Sequence, residues 1–270
     1  MRRTVLIASG ALCLLAGAGA LHAQDSIPWP AANRLDVTVT ARVTEVRGDT
    51  LRLTYTVANA AGSEQAAQTF VVRTYLPDYT IASPRLWMGM RGMVQDSAAA
   101  HWFSIATERF IVPGDSLGGF VFEGVGLLDI VPYRVQGYYD LPAYDDSQPW
   151  RIARPPSFWV NSVPGVTIGI KPIPDALPAD ALLERLRDLT GRSCAEPRWI
   201  DNAGVCRSLL SKLDAALRAL ERENTGAARA QVESFLAELE AQHGEPPGKH
   251  VNDTAYWLLR TNAEHVLGRL

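Results

Sequence analysis

The hydrophobic period of this chain changes once, near residue 175, from two residues to the helical 3.6, and few folds accommodate that change within one sheet or one bundle. From Leu35 the apolar residues Leu35, Val37, Val39, Ala41 and Val43 alternate with Asp36, Thr38, Thr40 and Arg42. After Gly48-Asp49 the alternation resumes with Leu51, Leu53, Tyr55 and Val57. Two such runs around a tight Gly-Asp turn predict a β-hairpin with one dry face and one wet face. Further strands are expected at 69–75, 101–106, 117–124, 133–139 and 158–161, with Pro113-Gly114-Asp115 as a turn before one of them. Short strands at this spacing predict an antiparallel sandwich of immunoglobulin-like architecture over 34–162, without the inter-sheet cysteine pair of antibody domains.

Residues 163–178 carry Pro164, Pro172, Pro174 and Pro178 and read as a proline-rich, semi-rigid linker. Beyond it, over 179–270, four amphipathic helices are expected. Leu182, Leu183, Leu186 and Leu189 line the first. Leu209, Leu210, Leu213, Ala216, Leu217 and Leu220 line the second. Ala228, Val232, Phe235, Leu236 and Leu239 line the third, capped by Asn224 or Thr225. Ala255, Leu258, Leu259, Val266 and Leu270 line the fourth, capped by Asn252 or Asp253. Asn252-Asp253-Thr254 also fits the N-glycosylation pattern, but capping is the preferred reading. The expectation is a small four-helix bundle that folds independently of the sandwich.

The first 23 residues read as a signal peptide: Arg2 and Arg3, an apolar run over 5–21, and small residues offering cleavage after Ala20 or Ala23. The protein is then secreted, or held in the periplasm or cell envelope, and starts near Gln24. Removing Arg2 and Arg3 takes the formal charge from −3 to −5. A mildly acidic chain with no Lys/Arg run argues against nucleic acid as a partner. No second span of about 18 apolar residues follows, so no transmembrane segment remains after cleavage. Cys194 and Cys206 are the two cysteines left, and in an oxidising compartment they predict a disulfide that pins the first helix to the start of the second.

The run Ser208-Leu209-Leu210-Ser211-Lys212-Leu213-Asp214-Ala215-Ala216-Leu217 carries a resemblance to a known module. So do Phe235-Leu236, Ala241-Gln242, Gly248-Lys249-His250-Val251, Ala255 and Leu258-Leu259. Together they resemble the FIMAH-type domain, a short helical module at the C-terminus of many secreted bacterial proteins, over roughly residues 204–270. Glu245-Pro246-Pro247 before the Gly-Lys pair and the cysteine-spanned loop with Trp199 depart from its pattern. The resemblance implies a secreted, bacterial accessory module and carries no catalytic residue with it.

Catalytic signals are sparse. His101, His243, His250 and His265 share no metal-ligand spacing, and neither H-E-x-x-H nor G-x-S-x-G occurs, so no metal, cofactor or catalytic residue is assigned. Asp140, Asp145 and Asp146 concentrate carboxylates in one loop without the spacing of a calcium loop. Trp102 and Trp159 lie in strand-like runs and are expected in the core. Trp87, beside Met88, Met90 and Met93, falls in the loop 84–93, and Tyr144 and Trp150 fall in the loop after Tyr139. Loop aromatics on a rigid sandwich form either a ligand-binding surface or anchors folded back onto the sheet. The sequence therefore points to a secreted, non-enzymatic binding or interaction protein whose partner is an extracellular protein or carbohydrate. A hydrolase built around the acidic loop Asp140 to Asp146, or a structural envelope component, are the alternative readings.

Overall fold

The hairpin forms where the alternation begins. Val37–Arg47 (β1) and Thr50–Asn59 (β2) pair antiparallel, Arg47 opposite Thr50, with Gly48 supplying the positive φ of the turn. Along β2 every second residue, from Leu51 to Asn59, is buried. The computed structural model describes residues 29–92, 99–139, 157–173, 177–195, 197–244 and 247–270. The signal segment 1–23, Met93, the acidic loop Asp140, Asp145 and Asp146, and the aromatics Tyr144 and Trp150 lie outside the described residues.

Seven more strands follow: Ala67–Arg73 (β3), Thr80–Ala82 (β4), Trp87–Arg91 (β5), Ala99–Ser104 (β6), Ser116–Val125 (β7), Leu127–Gly137 (β8) and Val163–Lys171 (β9). They form two antiparallel sheets, in the orders β1-β2-β7-β4 and β5-β6-β3-β8-β9. With β2 and β7 facing β3 and β8, this is an immunoglobulin-like sandwich extended by β6 and β5 on the second sheet. Its centre is aromatic: Phe70 stacks on Trp102 at 5.3 Å, and Tyr55 and Phe120 meet Phe70 edge-on. The polar tips are satisfied, since Tyr55 donates to the Ile168 carbonyl at 3.0 Å and Trp102 Nε1 to that of Ala82 at 3.0 Å.

Two expectations about this half need correction. Residues 163–171 are the edge strand β9, not linker, paired along its whole length with β8. An edge strand tolerates Pro164, and Gly165 leaves room for Tyr133, whose ring would lie 2.3 Å from a Cβ there. Residues 158–161 are a turn rather than a strand, with the amides of Val160 and Asn161 both donating to the Ser157 carbonyl.

Four helices follow: Ala179–Cys194 (α1), Ala203–Leu220 (α2), Thr225–Gln242 (α3) and Asp253–Leu267 (α4). Each apolar stripe is turned inward, and α1 packs on α2 and α4, and α3 on α2 and α4, closing a bundle. Asn202, Asn224 and Asn252 cap α2, α3 and α4 by accepting from backbone amides of the first turn. Cys194 and Cys206 are bonded across the α1–α2 connection, with their Cα atoms 6.1 Å apart. Closing a loop of this length contributes about 3 kcal/mol in the chain-entropy view. Replacing both cysteines by serine is expected to lower the melting temperature by about 10 °C; an unchanged melting curve would show the bridge to be dispensable.

The bundle and the sandwich share one apolar core, contrary to the expectation of independent halves. Helix α4 lies against β1, β8 and β9. The Ala41 amide of edge strand β1 donates to Thr254 Oγ1 at 3.2 Å, and Asn262 Nδ2 donates to the Leu128 carbonyl at 3.0 Å. Asp129, nearly buried on β8, meets Lys171 at 3.2 Å and Arg185 of α1 at 3.1 Å, with Arg192 at 3.6 Å. A period change thus marks a change of secondary structure here, not a boundary between separable cores.

Candidate binding face

The segment around Trp87 is strand β5 at the edge of the second sheet, so its residues alternate between faces. Trp87 turns inward: it is buried, meets Phe120 edge-on at 4.9 Å, and donates from Nε1 to the Arg109 carbonyl at 3.0 Å. It is a packing anchor, and the reading of Trp87 as an exposed binding residue is corrected accordingly. The inward turn follows from register, because Trp87 lies opposite Ser104 and Gly89 opposite the fully buried Trp102.

The same register turns Met88 and Met90 outward. Met88 pairs with Phe103, which pairs with Thr69, and Met90 pairs with His101, Val71 and Arg134 in succession across β6, β3 and β8. The outer face of an antiparallel sheet is ordinarily the polar one. Here it carries an apolar strip of Met88, Met90 and Phe103, of which Met88 is 46% exposed. Beside the strip the turn 157–162 folds over the sheet, and Phe158 and Trp159 cover the buried Val71 and Ala99. The turn is held by Arg134, which lies over the Trp159 ring at 5.3 Å and donates to the carbonyl and hydroxyl oxygens of Ser162. Trp159 is therefore partly buried on the outer face, while Trp102 alone of the two sits in the central core.

His101 stands in the middle of this face, near Phe103 and Phe158, with both ring nitrogens buried and, among the described residues, without a hydrogen-bond partner. Burial pushes its imidazole below the ordinary value of 6.5, and burial also lowers that of His265, helped by Arg269. A histidine depressed in the folded state is neutral there, while the unfolded chain takes up the proton. Stability is therefore full above pH 6.5 and is lost as the pH falls below it. His101→Phe should flatten the fall in melting temperature between pH 7.5 and pH 5; a fall as steep as that of the unaltered protein would exonerate His101.

The remaining histidines are tied to carboxylates in the α3–α4 connection. His243 stacks on Tyr256 at 3.8 Å and lies 2.8 Å from Asp253, and His250 lies 2.8 Å from Asp201. Among the described residues no serine, threonine or cysteine hydrogen-bonds to either ring, and no group of three or more His, Cys, Asp or Glu is placed to hold a metal ion. A shallow cleft of about 530 Å³ opens elsewhere, between Leu76, Tyr79, Val125 and Ile173, with Asp78 and Glu123 among its lining residues. Asp78 is engaged by Arg91 at 3.0 Å, and Glu123 by Arg52 at 3.4 Å. Neither place assembles a nucleophile with a base.

Residues 183–268 match the FIMAH domain. The match runs from within α1 to just past α4, and so begins earlier than the resemblance read from residues 204–270. The surface of the FIMAH region that meets the sandwich, through Arg185, Thr254 and Asn262, comes from α1 and α4. No curated protein matches the chain. Among solved structures, an uncharacterised immunoglobulin-like protein from Nocardia farcinica is 17% identical, covering 47% of this chain and 95% of its own, with a TM-score of 0.29. An inactive variant of the GH20 exo-β-N-acetylglucosaminidase from Vibrio harveyi is 12% identical, covering 53% of this chain and 19% of its own, with a TM-score of 0.26.

Sequence reasoning passed over Phe103 and Phe158 because both sit in runs assigned to strands. For Phe103 the signal was present: Trp102 and Phe103 are adjacent, so in a strand they face opposite sides and one must lie on the outer face.

Proposed function

We propose that this is a non-enzymatic binding protein of the extracellular or envelope compartment, which engages its partner through the outer face of the five-stranded sheet. The observation that carries the reading is the apolar strip Met88, Met90 and Phe103 on a face that a free-standing sandwich would keep polar. The rigid sheet beneath it, and the turn 157–162 clamped beside it by Arg134, hold the strip in one shape before any partner arrives. The partner is a protein or carbohydrate with an apolar patch, since Arg134 is the sole charge in the ladder from Met90 to Arg134 and it is already engaged. The Cys194–Cys206 disulfide fits an extracellular setting, and among the described residues no helix is long and apolar enough to cross a membrane. Residues 1–23 would direct export and be cleaved off in the process, so N-terminal sequencing of the exported protein should begin near Gln24.

The test is capture of partners from the native envelope and culture fluid on the immobilised full-length protein, repeated with Phe103→Lys. Loss of about 2 kcal/mol or more of binding in a folded variant is expected of a residue central to an interface. Unchanged affinity in that variant would remove this face from the function.

A further inference from the structure

We propose that β5 is a self-association edge: two copies of the chain pair their β5 strands antiparallel about a two-fold axis at Gly89, joining two five-stranded sheets into one. The inference goes beyond the binding reading above and does not depend on it.

It begins from the fate of the sheet edges. Edge strand β1 has its Ala41 amide taken by Thr254 of α4, β9 lies against β1 and α4 and carries Pro164, and β4 is only three residues long. Such devices keep sheet edges from pairing with other chains. Among the described residues strand β5 has none of them: it runs five residues without proline, lysine or bulge, and it is the last strand of its sheet.

The pairing pattern says which of its backbone groups are open. The Ile105 amide donates to the Leu86 carbonyl at 3.1 Å, and the Gly92 amide to the Ala99 carbonyl at 3.1 Å. Even-numbered residues of β5 therefore turn their backbone groups toward β6, and Trp87, Gly89 and Arg91 turn theirs away from it. The Trp87 amide is already used by the Pro84 carbonyl at 3.0 Å. Among the described residues, what remains is the Trp87 carbonyl, both groups of Gly89, and both groups of Arg91.

An antiparallel copy centred on Gly89 matches four of these five groups and leaves the Arg91 carbonyl to solvent. The two Gly89 residues exchange a pair of hydrogen bonds across the axis, and each Arg91 amide donates to the Trp87 carbonyl of the other copy. The second bond of each Trp87–Arg91 pair, from the Trp87 amide to the Arg91 carbonyl, is not made, because that amide is already spent on Pro84. On the outer face it sets Met88 of each copy beside Met90 of the other, so the apolar strip runs unbroken from one Phe103 to the other. The charges agree with it too. The two Arg91 side chains fall at opposite ends of the paired ladder, roughly 13 Å apart along the strands. Each Arg91 keeps its own contacts, with Asp78 at 3.0 Å and over the Tyr79 ring at 4.6 Å.

Sedimentation of the full-length protein over a concentration series should show a monomer–dimer equilibrium, with the Gly89 and Arg91 amides gaining protection from hydrogen exchange as the dimer forms. Met88→Lys, at an exposed position that the monomer does not need for packing, should weaken the dimer at least about tenfold. Met88→Cys combined with Met90→Cys should give a disulfide-linked dimer on mild oxidation, because those side chains become cross-strand neighbours only between copies. A monomer at every concentration would overturn the proposal. So would a dimer that survives Met88→Lys undiminished with Gly89 still exchanging freely, since its interface would lie elsewhere.

Discussion

Ending the chain after His250, which removes α4, is expected to unfold the sandwich together with the bundle. Leu258, Leu259, Ala263 and Val266 of α4 are buried, and the helix lies against β1, β8 and β9 as well as against α1 and α3. Each fully buried leucine or valine lost is worth about 1.5–3 kcal/mol. Truncation also takes Thr254 from the Ala41 amide, at about 1–3 kcal/mol for a group left unsatisfied, and Asn262 from the Leu128 carbonyl, which keeps its bond from Arg185. Together these losses rival the whole stability of an ordinary domain, about 5–15 kcal/mol. The truncated protein should lose the strand signal in circular dichroism, and a helical fragment beginning near Pro178 should melt without cooperativity. The full chain should unfold in a single transition seen alike by strand and helix probes. A truncated sandwich that still melts sharply would show that α4 leans on β1 without supporting it.

Trp87→Ala should cost about 3–5 kcal/mol of stability and lower the melting temperature by about 10 °C. The side chain fills the space beside Phe120, and its indole nitrogen holds the Arg109 carbonyl at the end of a short 3-10 turn, Thr107–Arg109. Trp87→Phe keeps most of the packing and loses that hydrogen bond, so it should recover all but about 1–2 kcal/mol. Denaturant titration separates the cases. If Trp87→Ala were as stable as the unaltered protein and lost binding alone, the side chain would belong to an interface and not to the core.

What the chain declares locally was readable from it. Alternation along β1 and β2, the leucine stripes of α1 to α4 and the asparagine caps at Asn224 and Asn252 each depend on residues within a turn or two of one another. The cysteine pair was readable for a different reason, since a close pair with no other partner has one simple fate in an oxidising compartment.

What failed to show locally depends on distant residues. Proline and glycine in 163–171 signal a linker, and only pairing with β8 at a sheet edge turns them into a strand. Trp87 and Met88 are neighbours of similar character; the register with β6 sends one into the core and leaves the other in solvent. The union of the two halves rests on contacts such as Ala41 with Thr254, 213 residues apart, and Leu128 with Asn262, 134 apart. The β1–β2 hairpin, the four helices and their caps were thus determined by the sequence on its own, because their energies are short-ranged along the chain. The outer apolar strip, the open β5 edge and the shared core were decided by the tertiary structure, because each comes into being only when strands and helices far apart in sequence meet.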